Sequence, residues 1–483
     1  MKKIVKKLIC LSLVAIFLIS MNSSISANKI SRTGEDFDPL VDIEITVEIQ
    51  KIRSFDKYDK QVHRREYIDR TSDPDFYVKV FINDVEFTSD VWQDTKYIYD
   101  PQFSPTFNVP DDEEFVEIKI QLWDWNSDGD NLCDISGNED RYDVEVTYSI
   151  KTGHWSGDDE PSMDDPSGYG RLNGCDDGSI YKHDRDCELW FNIYQNDYDD
   201  DNIPYWIEVN DYGTDPEVDN TGEDEDGDGV PIEWEWRWGY DPFESDNHAN
   251  IDPENDGIDN VEEYLTSECG SDPFRKDLFL ELDQMEESPS GQKSLLPEGA
   301  KEILRTAHNR QNVVYHLDDG SWENSGSDMI PFDESTDWGE LDSIYNQYFL
   351  QGDNWRRGVF HYGVLLYQSA QVNGNVFGSN RFQVSANGME EKAKSPFLER
   401  DIVYASAYMH ETGHTLGFRP IPGHNLWSAY PWQIGWWINR PYKSCMNYGY
   451  MYTTVDYSDG SRIIKDYDDW TRMDLTYFED SWN

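Results

Sequence analysis

An acidic pattern that occurs three times between residues 197 and 263 constrains this chain more than any other feature. In each copy, carboxylates occupy positions 1, 3 and 5, and a glutamate follows at position 12. The copies are Asp197, Asp199, Asp201 and Glu208; Asp224, Asp226, Asp228 and Glu235; and Asp252, Glu254, Asp256 and Glu263. Carboxylates at this density repel one another unless cations lie between them. The repeat therefore predicts three calcium sites.

The spacing resembles the EF-hand calcium loop, which also needs a sharp turn at position 6 and a backbone carbonyl at position 7. Gly229 and Gly257 supply the turn in the second and third copies, and Asn202 takes that place in the first. The backbone ligands at position 7 are Ile203, Val230 and Ile258. Residues 196–275 as a whole resemble the calcium-binding repeats of the thrombospondin type 3 group, which implies a stiff structural connector. A solvated acidic linker is the alternative.

The charge balance excludes one class of partner. The chain has 97 acidic and 40 basic side chains in 483 residues, for a formal net charge of -57. Nucleic acid would be repelled, so no nucleic-acid partner is expected. The acids alternate with many of the 18 Trp and 30 Tyr residues, which indicates a folded chain rather than a disordered tail. Calcium ligation and a salt-rich habitat both remain as explanations of the charge.

Residues 1–27 have the pattern of a secretory signal peptide. Lys2, Lys3, Lys6 and Lys7 precede an apolar stretch over residues 8–19, and small residues end at Ala27. The pattern predicts a cleaved signal and a secreted protein, with an uncleaved membrane anchor as the alternative. Five cysteines remain after cleavage, and the short spacing between Cys175 and Cys187 predicts a disulfide there.

Three regions with different periodicities predict a multidomain protein. Residues 41–195 alternate apolar and polar side chains, as over 76–82 and 116–122, which predicts an N-terminal antiparallel β-sandwich. The calcium-loop connector follows over 196–275. Residues 276–483 mix strands near 278–282 and 359–367 with helices near 297–308 and 402–416, which predicts a C-terminal α/β domain.

One motif in the last region predicts a metal site. Residues 410–414 have the form H-E-x-x-H, and the preceding residues have helical periodicity. His410 and His414 then lie on one helix face, where both imidazoles can bind one zinc ion, while Glu411 acts as the general base. Two helix histidines with ordinary surface roles are the alternative.

A catalytic zinc also needs a third protein ligand. No Asp or Glu occurs between Thr412 and Val455, and beyond His414 the histidine and cysteine within that span are His424 and Cys445. Gly417 lets the helix end and the chain turn back. His424 is therefore the predicted third zinc ligand, with a loop histidine of no metal role as the alternative.

These residues resemble the metzincin zinc metalloproteases. His410, His414 and Gly417 fit the extended zinc signature of that family, and residues 444–448 resemble its Met-turn. The resemblance implies a metzincin-like catalytic domain over 276–483, a zinc cofactor and a protein or peptide substrate. It also implies that Met446 supports the site from below and that Tyr448 is a catalytic residue. In one departure, Pro420 occupies the usual place of the third ligand.

The N-terminal region resembles the calcium- and lipid-binding β-sandwich named after the second conserved region of protein kinase C. The similar segments are residues 74–80 and 122–126. The resemblance implies a calcium site formed by Asp75, Asp124, Asn126 and Asp130, and it implies contact with a membrane surface. Acids that are merely solvated are the alternative. Cys133 follows this loop, and a thiolate that covers the zinc in a latent form is a further hypothesis.

Three functions compete at this stage. The first is a secreted, calcium-stabilised zinc endopeptidase with Glu411 as the general base. The second is a calcium-stiffened extracellular binding or adhesion protein with an inactive protease-like domain. The third is a zinc hydrolase with a substrate other than a peptide. The presence of Glu411 favours an active enzyme, and the resemblance to metzincins favours a peptide substrate.

Overall fold

A computed structural model describes most of the chain after residue 42. The described residues are 43–55, 73–110, 114–127, 129–160, 169–180, 185–322, 324–351, 355–370, 372–462 and 464–477. The predicted signal peptide, residues 1–27, lies outside them. Within these ranges no helix is both long and apolar enough to cross a bilayer.

The first region forms two antiparallel sheets. Its strands are β1 (Glu44–Ser54), β2 (Phe76–Ile82), β3 (Val85–Thr88), β4 (Tyr97–Phe103), β5 (Thr106–Asn108), β6 (Phe115–Asp124), β7 (Asn131–Leu132), β8 (Val144–Ser149), β9 (Trp155–Gly157), β10 (Arg171–Asn173) and β11 (Cys187–Gln195). One sheet has the order β10-β11-β1-β4, with β5 paired to β1. The other has the order β3-β2-β6-β8-β9, with β7 paired to β6.

The apolar alternation in the sequence explains why the sheets face each other. In β2, Val78 and Val80 are fully buried, whereas Lys79 between them is half-buried. The two sheets touch where the Trp155 and Phe191 rings lie 5.3 Å apart. The predicted antiparallel β-sandwich is therefore confirmed as the architecture of this region.

The acidic region contains short helices that each follow one loop. They are α1 (Tyr205–Ile207), α2 (Ile232–Trp238) and α3 (Asn260–Thr266). A π-helical turn, Glu208–Tyr212, continues α1, and a 3₁₀ turn, His248–Asn250, lies between α2 and α3. Asp259 caps α3 by accepting hydrogen bonds from the Val261 and Glu262 amides. Each position-12 glutamate thus lies on the helix or helical turn that directly follows its loop.

The third region is a mixed sheet with helices on it. Its strands are β12 (Lys276–Met285), β13 (Val313–Asp318), β14 (Met329–Ile330), β15 (Phe360–Leu366), β16 (Gly374–Val376) and β17 (Arg381–Ser385). Its helices are α4 (Glu298–Asn309), α5 (Trp338–Ile344), α6 (Ala386–Ala393), α7 (Arg400–Thr415) and α8 (Ile434–Asn439). The sheet order is β13-β12-β15-β17-β16, with β14 paired to β12. All pairs are parallel except β16 with β17.

The central strand β12 is buried on both faces, as expected of a parallel strand between two layers. Leu278, Leu280 and Leu282 pack with residues of α4 and α7 in one core. Phe279 points to the opposite face and packs in a second core with residues of α5. The predicted strands and helices of the α/β region are confirmed in position and type.

The sandwich packs directly on the third region, and the described residues after 42 form one compact unit. Arg53 forms an ion pair with Glu302 of α4 at 2.9 Å. Arg171 pairs with buried Glu188 and also donates to the Asn309 carbonyl at 2.9 Å. The contacts with Glu302 and Asn309 join residues far apart in sequence, and the periodicity alone does not predict them.

The predicted disulfide between Cys175 and Cys187 is wrong. Both residues are buried, but their sulfurs are thiols that do not bond to each other. The Cys175 thiol instead donates to an Asp186 carboxylate oxygen at 3.4 Å. Burial raises the pKa of this thiol well above its usual value, so it stays protonated.

Candidate functional site

Helix α7 positions the first two histidines. Apolar residues fill its core-facing side, and the whole segment from Ile402 to Gly413 is buried. His410 and His414 are one turn apart, so their rings lie on the same helix face with centroids 4.9 Å apart. The predicted helix therefore presents both imidazoles together.

Two glycines and a turn bring His424 to the same place. Gly417 has a φ of +73° just after the helix, which lets the chain reverse. Gly423 has a φ of +77° and lies directly against the Asn447 side chain, where a Cβ would overlap the amide oxygen. The Tyr448 amide also donates to the Gly423 carbonyl at 3.3 Å. The loop before His424 is thus fixed on the turn at residues 444–448.

The three histidines converge through their Nε2 atoms. His424 Nε2 lies 3.1 Å from His414 Nε2 and 3.2 Å from His410 Nε2. Three nitrogens bound to one zinc at 2.0–2.1 Å in tetrahedral geometry are separated by about 3.3 Å. Burial lowers the pKa of all three imidazoles, that of His410 to about 3, which keeps their lone pairs available. The donor set and spacing therefore fit a zinc ion.

The turn below the histidines sets their orientation. His410 Nδ1–H donates to the Cys445 carbonyl at 2.9 Å, which leaves Nε2 as the free acceptor. Met446 is fully buried beneath α7, where its sulfur lies 2.5 Å from the position that a Cβ on Gly413 would take. A glycine at residue 413 is therefore needed for this close approach.

Glu411 is a buried carboxylate in the same site. It is 3% exposed, and its Oε2 is buried without a hydrogen-bond partner. Burial raises the pKa of Glu411 to about 8. Its Oε1 lies against the backbone of Gly374 in β16, so that a Cβ there would overlap the carboxylate. The helix that carries the histidines thus also holds this carboxyl group directly against the edge strand of the sheet.

Tyr448 borders the histidines on the side of the turn. Its ring centroid lies 4.5 Å from that of His424 and 5.7 Å from that of His410. Burial raises the pKa of its hydroxyl, and the nearby Glu411 carboxylate adds to the effect. The hydroxyl is therefore protonated at neutral pH and can donate a hydrogen bond.

The acidic loops fold in the same way in all three copies. The position-1 carboxylate accepts backbone amides of its own loop, as Asp197 does from Asn202 at 2.7 Å. The position-5 carboxylate accepts the position-7 amide, as Asp256 does from Ile258 at 2.9 Å. Asn202 has a φ of +74°, which asparagine tolerates best after glycine. The structure thus gathers Asp197, Asp199 and Asp201; Asp224, Asp226 and Asp228; and Asp252, Glu254 and Asp256 into three clusters.

Positions 3 and 12 of each loop carry buried oxygens without hydrogen-bond partners. These residues are Asp199 and Glu208, Asp226 and Glu235, and Glu254 and Glu263. Burial raises the pKa of the Glu208 and Glu235 carboxyls to about 8 and that of Glu254 to about 11, and neighbouring carboxylates raise all three further. Burying unpaired carboxylates is costly unless a cation neutralises them. The oxygen ligands fit calcium.

The four candidate residues in the sandwich have a different environment. The Asp124 carboxylate accepts the Asp75 amide at 3.0 Å and the Asn126 side chain at 2.8 Å. The Asp130 carboxylate accepts the Asn126 amide at 3.1 Å and the Tyr77 hydroxyl at 2.9 Å. The described part of this loop does not bring three of these carboxylates together as the acidic repeats do. The predicted calcium site here stays a prediction.

The sequence motif did not include the residues that the following segment contributes to each loop. The Asn220, Asp246 and Asp277 amides donate to the position-5 carboxylates of the first, second and third loops at 3.3, 2.9 and 2.6 Å. These donors follow their acceptors by 18 to 21 residues, a distance that no loop motif covers. The edge strand beside Glu411 was missed too, although Gly374 between polar residues was a signal for close backbone approach.

No protein-family model matches this chain, and no curated protein matches it. Among solved structures it is similar to one titled "Structure of a C2 domain", with 10% identity, a TM-score of 0.19, and coverage of 32% of this chain and 98% of the other. For human GIVD cytosolic phospholipase A2 the identity is 15% and the TM-score 0.18, and the match covers 32% of this chain and 17% of the other. For a single domain of plant Extended Synaptotagmin 1 the identity is 11% and the TM-score 0.17, and the match covers 32% of this chain and 96% of the other. The matched part is the N-terminal sandwich. At such TM-scores the sandwich assignment rests on its own strand pairing.

Proposed function

We propose that the protein is a zinc-dependent endopeptidase stabilised by calcium. The observation that carries this proposal is the convergence of three Nε2 atoms, at 3.1 and 3.2 Å, beside the buried Glu411 carboxylate. His410, His414 and His424 would hold the zinc. Three protein ligands leave a fourth position open for water, which is the arrangement of catalytic rather than structural zinc sites.

The chain's own residues supply proton transfer and positioning. Zinc, when bound, lowers the pKa of water and polarises the substrate carbonyl. Glu411 takes the proton from the attacking water and passes it to the leaving amine. The Tyr448 hydroxyl donates a hydrogen bond to the oxyanion that develops on the carbonyl oxygen. The Cys445 carbonyl holds His410 in the ligating tautomer at 2.9 Å.

The edge strand supports a peptide as the substrate. Strand β16 pairs with β17 on one side only and ends the sheet. An extended peptide can add to such an edge through backbone hydrogen bonds. Because Gly374 in β16 lies directly against Glu411, a peptide bound there has its backbone next to the general base.

The acidic repeats are proposed to bind calcium as structural sites. Six residues at positions 3 and 12 have buried, unpartnered oxygens, and their repulsion opposes folding in the absence of cations. The second and third repeats meet the sandwich and the α/β sheet, respectively. His154 Nε2 is 2.8 Å from the Trp236 carbonyl, and the Asp277 amide at the start of β12 donates to Asp256. Calcium would therefore stiffen the connection between the two larger parts.

The test combines metal analysis with an assay on unfolded casein in the presence of calcium and zinc. Glu411→Gln should retain the zinc of the wild type but lose about 10²–10⁴-fold in cleavage rate, because the general base is removed. His424→Gln should lose the zinc held by these histidines, one ion per chain, and activity together. Glu391→Gln, an exposed change on α6, is the matched control and should behave as the wild type.

Two outcomes would overturn the proposal. Wild-type protein that binds zinc at these histidines but cleaves no peptide would leave the binding-protein hypothesis or a non-peptide substrate. Full cleavage by Glu411→Gln would show that another group is the base.

A further inference from the structure

The second acidic loop differs from the other two in its unpartnered buried atoms. In the first loop these atoms are oxygens of Asp199, Glu208 and the neighbouring Asn220. In the third loop they are oxygens of Glu254, Asn260 and Glu263. The second loop has Asp226 and Glu235 oxygens, and in addition the Nε2 nitrogen of His248.

His248 is aimed into the second loop from the following repeat. It lies in the 3₁₀ turn His248–Asn250 and is fully buried. Its Nε2 is 3.4 Å from Asp228 Oδ2 and 3.6 Å from Glu235 Oε1. The three ligand atoms form one group that could hold a metal ion. The histidine thus completes a site with carboxylates on two sides.

The distances fit a shared ion better than direct hydrogen bonds. An N–H···O bond has a donor–acceptor distance of about 2.7–3.2 Å, and both contacts are longer. Ligands that share one zinc at 2.0–2.1 Å in tetrahedral geometry lie about 3.3 Å apart. The separations of 3.4 and 3.6 Å are close to this value.

The partner of the other ring nitrogen is consistent with this role. His248 Nδ1 lies 2.9 Å from the Asn260 side-chain amide, whose Oδ1 otherwise has no partner. The oxygen and nitrogen of a side-chain amide are assigned from their contacts, so the two atoms of Asn260 can be exchanged. The Asn260 Oδ1 then accepts a hydrogen bond from the His248 Nδ1–H. Nε2 is then the ring nitrogen that faces Asp228 and Glu235.

We propose that the second loop is a mixed nitrogen–oxygen site for a borderline divalent cation such as zinc, ligated by His248 together with Asp226, Asp228 and Glu235. Calcium prefers oxygen ligands only, whereas imidazole suits zinc and its neighbours in the transition series. For the second loop this assignment replaces the calcium proposed above for all three repeats, and the first and third loops keep calcium. This assignment rests on cation binding by the repeats and is independent of the proposed peptidase activity.

Metal content per chain tests the assignment in the full-length protein dialysed against calcium and zinc. The His410→Asn substitution removes a ligand of the proposed catalytic site. Any zinc that still binds to the His410→Asn protein therefore reports on the second loop. We expect about one zinc per chain in His410→Asn and none in His410→Asn/His248→Asn. Calcium should rise from two per chain in the first protein to three in the second, because the loop without His248 has oxygen ligands only. Glu391→Gln, an exposed change on α6 outside the loops, is the control and should leave both counts unchanged.

A second variant guards against misfolding. His248→Asp places an oxygen ligand at the site, so it should fold with three calcium ions and without the loop zinc even if His248→Asn does not fold. Equal zinc content in proteins with and without His248 would overturn the assignment, as would three calcium ions per chain in the His410→Asn protein itself. Failure of the catalytic proposal alone has a different signature, because wild-type zinc would then depend on His248 and not on His410.

Discussion

Gly413→Ala tests how tightly the turn at Met446 packs beneath the zinc-binding helix. Alanine in a helix interior normally stabilises a protein by about 1 kcal/mol relative to glycine. Here the new Cβ would lie 2.5 Å from Met446 Sδ and 3.1 Å from the rings of Phe418 and Tyr457. Overpacking of this kind costs about 1–3 kcal/mol. The net expectation is a loss of about 0–2 kcal/mol in the free energy of unfolding.

The same substitution should weaken zinc binding. Any shift of Met446 moves the adjacent Cys445 carbonyl, which orients His410 through the 2.9 Å hydrogen bond from Nδ1. Loss of such an outer partner typically reduces metal affinity about 10–100-fold. The assays are calorimetric unfolding and competition for zinc with a chelator of known affinity.

Gly339→Ala is the matched control for this prediction. Gly339 also lies in a helix, but a Cβ there meets the Asp337 carboxylate at an ordinary 3.4 Å. This control should be stabilised by up to about 1 kcal/mol, with unchanged zinc affinity. If Gly413→Ala were equally stabilising and bound zinc as tightly as the wild type, the described packing beneath the helix would be refuted.

Three further predictions concern stability. Removing calcium with a chelator should lower the calorimetric unfolding temperature, since each site filled at about 100 times its Kd contributes about 2.7 kcal/mol; an unchanged transition would contradict structural calcium. Burial lowers the pKa of His308 to about 4, below its unfolded value of about 6.5. The free energy of unfolding should therefore be full above about pH 6.5 and fall by up to about 3 kcal/mol towards pH 4. Denaturant titrations at pH 7 and 5 should show a smaller decline for His308→Gln than for the wild type. Arg356 donates to the buried carboxylates of Glu281 and Asp318 at 2.8 and 2.6 Å, so Arg356→Met should cost about 3–5 kcal/mol at neutral pH in urea unfolding; a loss below about 1 kcal/mol would refute this ion pair.

The elements that local periodicity defines could be predicted from the sequence. Strand Phe76–Ile82 has the predicted bounds, and helix Glu298–Asn309 differs from the prediction by one residue at each end. The proximity of His410 and His414 follows from helical spacing alone. His424 required elimination of other ligands over a span without carboxylates, and the structure brings it to the other two.

Features that depend on long-range packing could not be predicted. Arg53 and Glu302 are 249 residues apart, and no local pattern links the sandwich to α4. The closeness of Cys175 and Cys187 in sequence suggested a bridge, but β11 and the neighbouring 3₁₀ turn direct Cys175 to Asp186 instead. His248 lies outside the twelve-residue loop that it faces, so the motif that identified the loop did not include it.

Anomalous diffraction at the zinc absorption edge, from crystals of the full-length protein, tests the central claim most directly. We predict a peak 2.0–2.1 Å from the Nε2 atoms of His410, His414 and His424, within reach of the Glu411 carboxylate through one water. A peak that does not involve His424, or the absence of a peak among these histidines from crystals grown with zinc, would contradict it.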